Sequence, residues 1–182
     1  MAKIISKTYG EALFDLCIEN DSLDTIEEEV KAVKEAFAQN VDLYKFLNHP
    51  KITKEEKVSL IEKVLKGRAS DDVTGFLVII VEKGRYNQID EIIDYFLAKV
   101  REYKKIGVAK VTSAVDLNHE QRKKLEDKLL ATTEYVAFDM EYQVDKSLIG
   151  GVIIRIGDRI VDSSIRTKLK NLSKELLKIQ MS

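Results

Sequence analysis

The stretch DKSLIGGVIIRIGDRIVDSSIRTKLKNL, Asp145–Leu172, sets two adjacent glycines ahead of an apolar run and a third, Gly157, behind it. Glycine clusters beside strands often cradle phosphates, so this stretch separates a nucleotide-binding enzyme from a chain that uses glycine to fold. A dinucleotide site needs G-x-G-x-x-G between a strand and a helix, and a P-loop needs G-x-x-x-x-G-K-[ST]; neither is present. Gly150 and Gly151 precede a run, Val152 to Ile156, that reads as a strand, so no helix N-terminus points at a bound anion. The two short apolar runs around Gly157-Asp158 predict a hairpin, with the glycine supplying a positive φ. Asp162-Ser163-Ser164 then offers acceptors to the first free amides of a last helix. The glycines read as structural.

Working outward, VAFDMEYQV alternates Val136, Phe138, Met140, Tyr142 and Val144 against Ala137, Asp139, Glu141 and Gln143, the pattern of a half-buried strand. GVAKVTSAV reads as another strand, and NHEQRKKLEDKLL as a helix capped by Asn118 with Gln121 three residues on. The first hundred residues instead read as about six short helices. Leu23, Ile26, Val30, Val33 and Phe37 form one helical stripe; Ile89, Ile92, Ile93, Phe96, Leu97, Val100 and Tyr103 form another. Thr53 with Glu56 predicts a capping box, and Pro50 breaks the chain between two helices. No Pro- or Gly/Ser-rich linker divides the halves, so a continuous or nearly continuous helix is expected to join two domains.

Two segments carry more apolar surface than a bundle needs. GFLVIIV, Gly75 to Val81, is apolar on every side; the preceding SDD and following Lys83-Gly84 favour helix over strand. Such a helix is either wholly interior or covered on its outer side by something else. In the first helix, Ile5, Tyr9, Ala12, Leu13 and Leu16 make a broad stripe with Phe14 nearly opposite. That second side fits either a partner or deep packing.

The 182 residues include 45% apolar and 34% charged side chains, with one proline and no tryptophan, as expected of a helical globular protein. Net charge is −1 but uneven: residues 1–105 hold 17 Lys and Arg against 20 Asp and Glu, residues 106–182 hold 13 against 11. The basic last helix suits an acidic helix, a phosphate backbone, a membrane surface, or solvent alone. One cysteine, Cys17, allows no internal disulfide and fits a reducing compartment. No run is long enough to span a bilayer, and Glu11 and Asp15 argue against a transit sequence, so a cytosolic setting is expected. His49 and His119 have no companions at metal spacing, and Cys17 has no evident catalytic partner. No catalytic, cofactor or metal site is expected.

Together, YGEALFDLC in the first helix, FLNHPKITKEEK near position 50, VEKGRY before the sixth helix and VDKSLIGGVIIRIGDRIVDSSIRTKLKNL resemble one family over nearly the whole chain. It is the bacterial-type delta subunit of the F-type ATP synthase, related to the mitochondrial oligomycin-sensitivity-conferring protein. Ser163 stands where that family often has glycine. The resemblance implies a mostly α fold: a six-helix bundle over 1–105, then a smaller α/β domain over 106–182 with a short mixed sheet and a C-terminal helix. It implies a non-catalytic stator, without cofactor, joining the catalytic head to the peripheral stalk at the cytoplasmic face of a bacterial membrane. Association with the membrane would be through the complex alone.

By position in the matching motifs, the N-terminal helix of the head's alpha subunit would lie between the first and fifth helices. It would touch Tyr9, Ala12, Leu16, Gly75, Val78 and Ile79. The b-subunit stalk would meet the last helix through Arg166, Lys168, Leu169, Lys170, Leu172, Lys174 and Leu176, although the leucines could equally pack on the domain's own sheet. The rival reading is a KH-like nucleic-acid-binding module, prompted by LIGG before an apolar run and a basic helix. Adjacent glycines with no basic residue between them and a pI of 6.2 weigh against it.

Overall fold

Helix signals and helices coincide along the first half of the chain. The computed structural model describes the backbone of residues 2–180 and the side chains of residues 4–40 and 42–173. Six helices come first: α1 (Ala2–Glu19), α2 (Leu23–Gln39), α3 (Val41–Asn48), α4 (Lys54–Leu65), α5 (Asp71–Glu82) and α6 (Ile89–Tyr103). Thr53 and Glu56 exchange both bonds of the predicted capping box at the start of α4. α5 ends as a Schellman motif, with Gly84 at φ +67°. There the Gly84 amide donates to the Val81 carbonyl and the Arg85 amide to that of Ile80, both at 2.9 Å.

The compact units are Met1–Val100 and Arg101–Ser182. α6 runs past that division without a break. In the first unit Ile89, Ile92, Ile93, Phe96, Leu97 and Val100 are all buried and form the centre of the core. Tyr103, the last member of that stripe, is exposed instead. α1 lies close on α6 because Gly10 has no side chain: a Cβ there would stand 2.6 Å from Tyr95 Cδ1 and 3.3 Å from the Phe96 amide nitrogen. Tyr95 Oη adds a 3.1 Å hydrogen bond to the Glu11 carboxylate.

The start of α5 is held from a distance in sequence. The Glu29 carboxylate accepts from both the Ser70 amide (2.9 Å) and the Ser70 hydroxyl (2.6 Å), while Ser70 Oγ accepts from the Val73 amide. Because charge-assisted hydrogen bonds are the stronger kind, Glu29→Ala is expected to cost about 1–2 kcal/mol. Urea unfolding followed by circular dichroism measures it.

The second unit contains β1 (Ile106–Ser113), α7 (His119–Thr132), β2 (Ala137–Val144), β3 (Val152–Ile156), β4 (Arg159–Asp162) and α8 (Ile165–Gln180). The sheet order is β2-β1-β3-β4, with β1 and β2 parallel and the other pairs antiparallel, so the sheet is short and mixed. Ala109, Val111, Phe138 and Ile154 share one sheet face and bury it with Leu129 of α7. Val136 and Val144, expected on that face, are exposed: Val136 immediately precedes β2 and Val144 is its last residue, both beyond the buried cluster. The opposite face carries Lys110, Glu141 and Arg155, and Lys110 pairs with Glu141 at 3.0 Å.

Candidate docking surfaces

Each helical residue turns by about 100°, so Ser6, Gly10, Leu13, Phe14 and Cys17 make one buried arc on α1. Phe14 is therefore core and not a second apolar side: the close approach at Gly10 sinks α1 deeply enough to bury its arc as well as Leu13's. The surplus lies on the other flank, where Ile5, Tyr9 and Leu16 are half-buried and Ala12 is exposed.

On α5 the buried residues are Val73, Leu77, Ile80 and Val81. The remaining arc holds Val78 and Gly75, half-buried, and Ile79, which is 49% exposed. α5 is thus not wholly interior. Tyr9, Leu16 and Val78 pack against the same core cluster, while Ala12, Gly75 and Ile79 lie on the outward sides of their helices. α1 and α5 both contribute side chains to that core.

Gly75 is unlike the glycines the fold requires. Nothing lies within 4 Å of where its Cβ would be, and its backbone is ordinary helix. Mid-helix glycine costs roughly 1 kcal/mol relative to alanine, and no internal contact at this position offsets that cost.

Beyond its first turn, the described part of the last helix is exposed. Ile165, Leu169 and Leu172 fall on one face of α8, and Leu169 and Leu172 are 53% and 54% exposed, so the described part of the leucine stripe does not pack on the domain's own sheet. Arg166, Lys168 and Lys170 are exposed around it. Lys174 and Leu176 are helical, but their side chains lie outside the described residues. A nearby apolar patch has no periodic signal in the sequence: Val115, Val144 and Ile149 line one depression with Ala114, Asp116 and Lys146. Its available signal was Ile149, a β-branched residue placed in a turn beside two glycines; its φ is +68°.

The glycines of the opening stretch serve close backbone approach. Gly151 has φ +80°, and a Cβ there would stand 2.5 Å from the Ser163 carbonyl oxygen. With the glycine in place, the Ser163 amide donates to the Val152 carbonyl and the Ile165 amide to that of Gly150. Gly157, at φ +55°, turns β3 into β4. The glycine pair is thus packed on its own chain, and nothing supports the KH-like reading.

The single cysteine lies among the described residues. Cys17 is fully buried, and burial, with the Asp72 charge, pushes its thiol up to about 11, so it stays protonated at neutral pH. No group of three or more His, Cys, Asp or Glu gathers at metal-binding range there. No helix there is long and apolar enough to cross a membrane.

The shifted carboxylates are caps. Asp162 accepts from the Ser164 amide and the Thr167 hydroxyl, and Asp145 from the Ser147 amide; these bonds hold both carboxyls below the usual aspartate range. A lowered folded pKa contributes stability that is present above the unfolded value and lost as pH falls through the folded one. The first turn of α8 is therefore expected to stay protected through mild acid and to open only below the ordinary aspartate range. Amide exchange at Ser164 across pH, compared with Asp162→Asn, measures this; the variant should lose the acid-dependent step.

These features define a class: a mostly α protein, a helical bundle plus a small α/β unit, with apolar helix surface left exposed. The sequence profile described as ATP synthase delta (OSCP) subunit matches residues 5–176. ATP synthase subunit delta of Lachnoclostridium phytofermentans is 67% identical over the full length of both chains. The chloroplastic delta subunit of Emiliania huxleyi is 36% identical over 93% of this chain and 94% of its own, and ATP synthase subunit delta of Trichormus variabilis is 33% identical over 94% and 93%. A chain of the mitochondrial ATP synthase hexamer of Toxoplasma gondii shares the fold, with a TM-score of 0.73 at 18% identity, over 94% of this chain and 97% of that one. The chain belongs to the ATP synthase delta (OSCP) subunit family: it is a stator subunit of the F-type enzyme.

Proposed function

We propose that residues 1–105 hold the catalytic head by receiving the N-terminal helix of its alpha subunit along α1 and α5, through Tyr9, Ala12, Leu16, Gly75, Val78 and Ile79. Residues 106–182 engage the b-subunit stalk through α8. The chain turns over no substrate and reaches the cytoplasmic face of the bacterial membrane only as part of the complex. A stator must release slowly under sideways load, and desolvated helix-in-groove contacts achieve this better than rim charges that salt screens.

The observation that carries the reading is Gly75. A helix-weakening residue with open space over it, beside half-exposed Ile79, is explained when a foreign backbone lies close above it. Isothermal titration of the full chain with a peptide matching the alpha-subunit N-terminus of the same organism tests it. Saturable binding that Ala12→Asp abolishes is expected. Undiminished binding by that variant, still folded, removes the groove assignment.

A further inference from the structure

The two candidate surfaces present the same kind of aliphatic strip, but the charges around them have opposite sign. Asp15 and Glu19 lie one turn beyond Ala12 and Leu16 on α1, while Asp71, Asp72 and Glu82 surround Gly75 and Ile79 on α5. All five are exposed, and none forms an ion pair among the described residues. α5 contains no basic residue; Lys83 follows only at its C-cap. α1 holds two bases, Lys3, whose side chain lies outside the described residues, and Lys7, which faces Glu11 at 3.8 Å. On α8 the order is reversed: Ile165–Ser173 has Arg166, Lys168 and Lys170 and no acid.

Two of the five acids also sit where the fold does not favour them, whereas Asp71 and Asp72 occupy the first turn of α5, where it does. Glu19 ends α1 and Glu82 ends α5, so each carboxylate meets the negative pole of its own helix, and neither last turn contains a base. Apolar contact is non-directional, so two aliphatic strips cannot by themselves tell one amphipathic helix from another. A rim of one sign can, by repelling the wrong partner as well as attracting the right one.

We infer that rim charge sorts the two docking helices: the α1/α5 surface takes an amphipathic helix flanked by Lys or Arg, and α8 takes one flanked by Asp or Glu. This rests on the docking reading above and adds the chemistry by which partners are told apart. Each exposed pair is weak, so the preference comes from several charges of one sign acting together and fades with salt.

The test uses two synthetic amphipathic peptides with identical leucine anchors, one flanked by lysine and one by glutamate, titrated against the full chain. Gly75→Gln and Leu169→Ser, neither of which changes charge, report which surface is occupied. At about 50 mM salt the lysine peptide is expected to prefer the α1/α5 surface roughly tenfold over the glutamate peptide, and α8 to show the reverse. The preference is expected to shrink toward unity at about 500 mM salt. It should also shrink when Asp15→Asn, Glu19→Gln and Glu82→Gln are combined, a variant expected to fold at least as well as the parent because two acids leave helix C-termini. Equal competition by the glutamate peptide at low salt overturns the inference, as does a preference that survives the triple variant. The alpha-subunit peptide is run in parallel. If it binds while the designed peptides do not discriminate, charge sorting alone fails; if it does not bind, the docking reading fails with it.

Discussion

Gly75→Glu is expected to weaken binding of the alpha-subunit peptide about a hundredfold while leaving the helical unit folded. The two effects separate because of where the residue sits. Inward, nothing lies within 4 Å of the new Cβ, so the first atom of the side chain meets no packed neighbour. Glutamate is also the better helix former, which is worth up to about 0.5 kcal/mol on the folding side. Outward, the carboxylate would be trapped beneath a docked helix among Asp71, Asp72 and Glu82, with no base on α5 to pair it. An uncompensated charge in such an interface costs roughly 2–5 kcal/mol, and a hundredfold corresponds to about 2.7 kcal/mol. Titration calorimetry gives the affinity, and thermal unfolding shows whether the variant is intact. A folded variant with parental affinity would show that no partner approaches this face. Gly75→Ala is the matching control for the folding side, with a gain of about 0.5–1 kcal/mol.

Gly151→Ala should do the opposite, unsettling the second unit while changing no candidate contact residue. At φ +80° an L side chain pays roughly 1–2 kcal/mol for the left-handed backbone. Its methyl would also stand 2.5 Å from the Ser163 carbonyl oxygen and 3.0 Å from the Ser164 Cα, backbone atoms that cannot swing aside like a side-chain tip. Relief requires β3 and the turn into α8 to separate, at the expense of the Ser163–Val152 and Ile165–Gly150 hydrogen bonds. The combined loss is expected to be about 3 kcal/mol or more. Amide exchange in β1 and β3, accelerated while α6 keeps its protection, is the direct readout. A variant whose second unit exchanges as slowly as the parent's contradicts this account of the glycine pair.

The same methyl is thus harmless at position 75 and costly at 151, although both residues are simply glycine in the sequence. Residue order alone determined the elements whose causes are local. The Thr53 and Asn118 capping boxes, the Ser70 cap, the Gly84 stop, the Gly157 turn and the α6 stripe all depend on atoms a few residues apart. The family motifs run along the chain in the same way. Which apolar surface remains open is decided by packing between segments distant in sequence. Phe14 looked like surplus until Gly10 drew α1 against α6, and Leu169 and Leu172 looked ready for a sheet that does not cover them. Val136 and Val144 kept the strand's alternation yet lie beyond the buried cluster. Periodicity specifies the direction in which a side chain leaves its own helix or strand; only the tertiary structure decides what stands there to meet it.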